Sequence, residues 1–175
     1  ILEANPFLGR ILTGRITSGV AKPNMAIKAL SRDGRIVEQG RITRVLAFRG
    51  LERTNIEEAE AGDIVAIAGL STATVADTLC APEVENPIPA HPIDPPTLSM
   101  TFRINDGPLA GREGDKVQSR VIRERLMREA EGNVALRVTA TPDADAFEVA
   151  GRGELQLAIL IETMRREGFE LTIGK

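Results

Sequence analysis

Apolar positions set the rhythm of the second half of the chain. Leu157, Leu160, Ile161 and Met164 fall at i, i+3, i+4 and i+7, which predicts one apolar face of a helix. Glu154 sits in the first turn of that helix and Arg165 and Arg166 in its last, complementing the helix dipole. Gly168 is placed to end it in a left-handed conformation. Upstream, Val117, Val121, Ile122, Leu126 and Ala130 supply the packing face of a second helix over 116–130, with Asp115 and Gln118 in capping-box register. Strands are predicted at Leu98–Ile104, 134–140, 146–150 and 170–173, the second alternating Val134, Leu136 and Val138 against Ala135, Arg137 and Thr139. The order is βαββαβ, the split-βαβ or ferredoxin-like arrangement.

The first half has a different beat. Turn signals recur at Ser18-Gly19, Lys22-Pro23-Asn24, Asp33-Gly34, Arg49-Gly50 and Ala61-Gly62-Asp63. Between them lie β-favouring runs at 9–17, 25–30, 36–48 and Ile64–Ala68, and Arg32-Asp33-Gly34-Arg35 reads as a tight hairpin. Short, evenly spaced strands of this kind predict a small all-β barrel, closed so that no edge strand is left over. Residues 83–97 hold five of the ten prolines, and proline both fixes φ and removes a donor, so this run is expected to be extended and to belong to neither core. The expected division is therefore a barrel domain over 1–84, a linker over 85–97 and an α+β domain over 98–175.

Composition narrows the chemistry. The 175 residues are 42% apolar, enough for one large core or two small ones, and no run is long enough to span a membrane. The chain opens on Ile1-Leu2-Glu3-Ala4 with no signal segment and closes within a predicted strand, which reads as a piece excised from a longer protein. A single cysteine excludes an internal disulfide and a single histidine makes a histidine-rich metal site implausible. Cys80 is read as a small apolar residue at a strand end, and His91 as a solvent-exposed residue of the proline-rich connection. These features imply a soluble, cytoplasmic protein. Net charge is −3, which argues against a globally basic coat protein for nucleic acid. Locally, however, 112–128 carries six basic residues (Arg112, Lys116, Arg120, Arg123, Arg125, Arg128) against three acidic ones, either a solvated helix face or a phosphate-facing stripe.

Literal strings carry more than periodicity does. Glu60-Ala61-Gly62-Asp63-Ile64 through Gly69-Leu70, followed by Ala76-Asp77-Thr78-Leu79-Cys80, resembles the domain II signature of elongation factor G and its relatives, with Ala76 where glycine is usual. Pro95 to Phe102, Asn105 to Gly114, and Gly151-Arg152-Gly153-Glu154-Leu155-Gln156-Leu157 are similar to the TypA/BipA branch of the translational GTPases. Gln156 stands at a position where that family has histidine, which argues against a catalytic task there. The resemblance covers nearly the whole chain and implies a translation-factor domain II barrel followed by a domain III of elongation factor G type.

The nucleotide machinery of that family is not in these residues. Gly107-Pro108-Leu109-Ala110-Gly111-Arg112-Glu113-Gly114 is glycine-rich but lacks the lysine and hydroxyl of a P-loop, and no Asn-Lys-x-Asp motif occurs. The resemblance therefore implies that GTP and magnesium belong to a G domain outside this chain, that further domains follow, and that no cofactor binds here. GTP hydrolysis would be an activity of the full-length protein. The expected partners are the ribosome, with small-subunit rRNA against the barrel, and the protein's own G and C-terminal domains, in a translation, stress-response or ribosome-assembly role. Candidate contacts are Arg32 and Arg35 on the hairpin, Arg49 and Arg53 on the next long turn, Arg112 and Lys116 beside the glycine-rich loop, and Arg120 and Arg123 on the helix. Gly151 and Gly153 are read as serving backbone geometry. The alternative is a stand-alone RNA-binding module on the βαββαβ scaffold, which would need aromatic side chains on its central strands; only Phe102 and Phe147 fall there.

Overall fold

A computed structural model describes residues 1–174. The chain divides into two compact units, Ile1–Pro92 and a second beginning at Ile93.

In the first unit the strands are Leu2–Asn5 (β1), Gly9–Arg15 (β2), Val20–Ala21 (β3), Ala26–Leu30 (β4), Ile36–Arg41 (β5), Arg44–Arg49 (β6), Glu52–Ile56 (β7), Ala59–Glu60 (β8), Ile64–Ala68 (β9) and Thr78–Cys80 (β10). They pair as a five-stranded sheet β1-β2-β9-β6-β7, a three-stranded sheet β10-β4-β5 and the short pair β3-β8. Ile27, Ala29, Ile42, Val45, Ala59, Val65 and Leu70 form the main core, and Ile11, Leu46, Ala66 and Ala68 a smaller one on the other face of the large sheet.

The predicted strand over 36–48 is two strands, because the chain changes partners at a corner. Ile42 exchanges hydrogen bonds with Asn24 and Met25, whereas the next residue, Thr43, donates to Ala68 at 2.8 Å. Gly69 makes the corner possible: its φ is +130°, and a Cβ there would lie 2.1 Å from the Arg41 carbonyl oxygen. The hydrogen-bonded ladders do not close into the expected barrel. Sequence alternation reports strands but not which edges meet, and the corner at 42–43 splits the pairing between sheets. The large sheet nevertheless curls strongly. Its outer strands β1 and β7 would stand roughly 19 Å apart if flat, yet Arg53 Nη1 on β7 donates to Glu3 Oε2 on β1 at 2.8 Å.

The proline-rich run is not detached as far as residue 92. Ile88 N–H donates to Thr78 Oγ1 at 2.9 Å, and Pro87 packs within reach of the Gly34 turn.

The second unit contains Leu98–Ile104 (β11), Ser119–Gly132 (α1), Arg137–Ala140 (β12), Ala146–Gly151 (β13), Glu154–Arg166 (α2) and Leu171–Gly174 (β14). Its sheet is antiparallel throughout, in the order β12-β13-β11-β14. Phe102 stands opposite Phe147 on one side and Ile173 on the other. The core gathers Phe102, Phe147 and Val149 from the sheet with Ile122 and Leu126 of α1 and Leu157, Leu160 and Met164 of α2.

Helix α2 ends as its sequence predicts. Gly168, at φ +87°, donates to Arg165 O at 3.0 Å, and Phe169 N–H reaches back to Met164 O at 3.0 Å. That is a Schellman motif, with buried Phe169 and Met164 supplying the apolar contact that accompanies it. The expected start of α1 is corrected. Its N-cap is Gln118 without a side-chain cap, because Lys116 is drawn into an extended bridge with Phe169 and the helix cannot begin until 119.

Candidate functional site

The glycine-rich loop 107–114 is held by a residue that the sequence does not flag. Glu170, only 8% exposed, accepts hydrogen bonds from the backbone N–H groups of Gly111 (2.8 Å), Glu113 (2.7 Å) and Gly114 (3.2 Å), and from Asn105 Nδ2 (3.2 Å). The donors of Gly111 and Glu113 pull its carboxyl below the ordinary glutamate value. Gly114 permits the approach, since a Cβ there would lie 2.4 Å from Gly168 O. The amides that could cradle a phosphate are thus already bound to an internal carboxylate, whose charge would repel one. These residues do not fit a nucleotide, and among the described residues no acidic, histidine or cysteine cluster could hold a metal ion.

The first unit repeats the device. Consecutive N–H groups of Ser71, Thr72 and Ala73 converge on Glu38, with distances of 2.7 to 3.1 Å, and the Ser71 hydroxyl adds a bond of 2.7 Å. Partial burial pushes the Glu38 carboxyl up, but the donors of Ser71, Thr72 and Ala73 outweigh it and hold the carboxyl at about 2.

The eight sequence-predicted basic residues separate into two groups. Arg32, Arg49, Arg112 and Arg123 are exposed and form no ion pair among the described residues. The other four have internal partners. Arg35 pairs with Asp33 at 2.9 Å, and Arg120 with Glu124 at 3.1 Å, both in solvent. Arg53 grips Glu3 with two nitrogens and lies 5.1 Å from the centre of the Phe48 ring. Lys116 donates to the Glu167 carbonyl at 2.7 Å and lies 4.8 Å from the centre of the Phe169 ring, so it stabilises the C-terminal end of α2. Arg125, part of the basic stretch in sequence, is also internal. Its side chain is 13% exposed and bonds Glu167 at 2.7 Å and Glu129 at 2.8 Å. Those two carboxylates, Glu167 foremost, keep the guanidinium charged.

Gln156 has a backbone role. Its Oε1 accepts from Arg152 N–H at 2.7 Å, satisfying a free donor at the start of α2. Gly151 lies tight against it, since a Cβ would come within 2.9 Å of Gln156 Oε1. Gly153 is different: its φ is 177° and nothing lies within 4 Å of an added Cβ, so its geometry does not require glycine.

The RNA-recognition alternative fails on side-chain direction. Phe102 and Phe147 point into the core at 0% and 3% exposure. The alternate positions of the same strands, which face away from the helices, are Ser99, Thr101, Arg103, Glu148 and Ala150, with no ring on which a base could stack.

Comparison with known proteins agrees with the strand pattern of the first unit: residues 9–80 match Elongation factor Tu domain 2. Similarity to curated proteins runs the length of the chain. It is 48% identical over 174 residues to the "Large ribosomal subunit assembly factor BipA" of Synechocystis, covering 99% of this chain and 29% of that protein. The proteins of the same name from Bacillus subtilis (45%, covering 100% of this chain and 28% of that protein) and Escherichia coli K12 (47%, 99% and 28%) are similarly related. The chain belongs to the BipA family. It spans under a third of the length of these relatives. A crystal structure from Thermus thermophilus shares the fold, with a TM-score of 0.66 at 20% identity, over 99% of this chain and 24% of that one. Among the described residues no helix is long and apolar enough to cross a membrane.

Proposed function

We propose that this chain is the ribosome-contacting central part of a cytoplasmic translational GTPase of the BipA type. In this reading it comprises a domain II barrel (1–84), a linker (85–97) and a ferredoxin-like domain III (98–175). The observation that carries it is identity of 45–48% along the whole chain to proteins named as large ribosomal subunit assembly factors. GTP and Mg²⁺ are bound elsewhere in the full-length protein, and this portion supplies position. Both units present arginines free to meet RNA phosphates: Arg32 and Arg49 on the barrel, Arg112 and Arg123 on the second unit. Arg35 and Arg120 are exposed enough to exchange their partners for phosphate, whereas Arg53 and Lys116 act mainly within the fold. The barrel contacts small-subunit rRNA without reading bases, in a role in ribosome assembly and the response to stress.

The test is cosedimentation of the full-length protein with isolated small and large ribosomal subunits across a salt series. Binding should fall with a slope of about −0.9 per phosphate neutralised on duplex-like RNA. Arg32→Glu with Arg35→Glu should weaken small-subunit binding, and Arg112→Glu with Arg123→Glu tests the second unit. Salt-independent binding, or no change in either double variant, would sink electrostatic docking.

A further inference from the structure

The loop 107–114 contains three glycines, yet its backbone is fixed. Among the described residues, every amide N–H from Gly107 to Gly114 except that of Leu109 is bonded. Gly107 donates to Asn105 Oδ1 at 3.2 Å, Ala110 to Gly107 O at 3.0 Å and Arg112 to Leu109 O at 3.3 Å. The other three converge on Glu170, whose Oε2 takes Gly111 and whose Oε1 takes Glu113 and Gly114. The two oxygens of one carboxylate therefore grip the peptide on either side of Arg112. Arg112 itself is exposed and forms no ion pair among the described residues. Asp106, Glu113 and Asp115 border it in sequence, and Arg165 of α2 acts electrostatically on Glu113. The loop thus has no general positive field, and whatever Arg112 does for an anion depends on where its guanidinium is aimed.

We propose that Glu170 is the positioning residue for Arg112: its carboxylate holds the loop in the one shape that presents the guanidinium to a backbone phosphate of RNA. Glu170 is 8% exposed and spends its oxygens on the loop, so it acts through Arg112 and not on the ligand. Gly111, at φ +82°, and Gly114 would otherwise let the loop sample many shapes, and binding would then bear the cost of ordering it. The loop's amides are already taken, which leaves the Arg112 fork as what it offers an anion. That fork is always charged and matches phosphate geometry with two parallel donors. The inference rests on the RNA docking proposed above and names the internal residue on which the second unit's contact depends.

The sign of one substitution gives the test. Glu170→Gln removes a negative charge, which by charge alone strengthens binding to RNA; the positioning role requires the opposite. In the full-length protein, Glu170→Gln should weaken cosedimentation with isolated ribosomal subunits roughly three- to tenfold. It should also reduce the salt slope by about 0.9, the share of one phosphate. Arg112→Ala should do the same, and Glu170→Gln added to Arg112→Ala should cause no further loss, because both act through one contact. The unsubstituted protein supplies a measurement that needs no variant to fold: the Gly111 and Glu113 amides should exchange with deuterium roughly tenfold more slowly than the Leu109 amide. Unchanged binding of Arg112→Ala would remove docking at this loop and this inference with it. A loss for Arg112→Ala with none for Glu170→Gln would leave docking standing and overturn the positioning role alone. So would a further loss from Glu170→Gln once Arg112 is alanine, or exchange at Gly111 and Glu113 as fast as at Leu109.

Discussion

Glu170 and Gly111 are 59 positions apart and joined by a hydrogen bond of 2.8 Å, the Gly111 N–H donating to the Glu170 carboxylate. Through this bond and its neighbours the residue just ahead of β14 fixes the loop that precedes α1. Glu170→Gln should break the arrangement, because the amide presents a donor to a ring of donors. The urea midpoint should fall, and limited proteolysis should begin to cut within 107–114. An unchanged cleavage pattern would show that the loop is held by other contacts.

Glu38 predicts an acid dependence. Its carboxyl titrates at about 2 in the fold against an ordinary value of 4.5, so the folded state binds its proton less readily than the unfolded state. The stability it contributes is complete above about 4.5 and drains away as pH falls toward about 2. Wild type should therefore exceed Glu38→Gln in urea midpoint at pH 6, and the gap should narrow by pH 3. A gap independent of pH would mean that shape, not charge, matters at this position.

Arg125 and Arg120 lie on one helix, and the sequence alone cannot rank them. Arg125 is 13% exposed with two carboxylates, Arg120 85% exposed with one. Arg125→Ala should cost roughly 1–3 kcal/mol by leaving Glu129 and Glu167 without their shared partner, whereas Arg120→Ala should cost about 0.5 kcal/mol or less. Chemical denaturation of both variants separates the cases, and equal losses would contradict the burial argument.

What the sequence disclosed was local. Leu157, Leu160 and Met164 are buried as their spacing predicts, and Gly168 closes α2 because a left-handed residue was needed one step past a helix end. The order βαββαβ followed from where period 3.6 gave way to period 2. What escaped was long-range. Nothing near Glu38 or Glu170 reveals that their partners lie more than 30 and more than 50 residues away. The corner at Ile42–Thr43 is invisible in a run of β-favouring residues. Two of the eight candidate cations, Arg53 and Lys116, are engaged across 50 and 51 positions for the same reason, whereas the Arg35–Asp33 and Arg120–Glu124 pairs are short-range: charge is legible in one dimension, and distant partners are not.

Ala76 supplies the last prediction. Its φ is +71°, and it is one of two described non-glycine residues with positive φ. The other, Asn24, tolerates that region through its short polar side chain. Alanine has no such compensation, and its Cβ crowds the following carbonyl at a cost of about 1–2 kcal/mol relative to a right-handed conformation. Glycine removes that strain but gives the unfolded chain more freedom, which offsets part of the gain. Ala76→Gly should therefore stabilise the first unit by about 1 kcal/mol, read as a rise in denaturation midpoint with no change in slope. Ala76→Val should move the opposite way, since a β-branched side chain is still less suited to positive φ. A glycine variant no more stable than the natural chain would mean that the turn at 74–77 relaxes out of the left-handed region, and its hydrogen bond from Asp77 N–H to Thr74 O would then be the contact to re-examine.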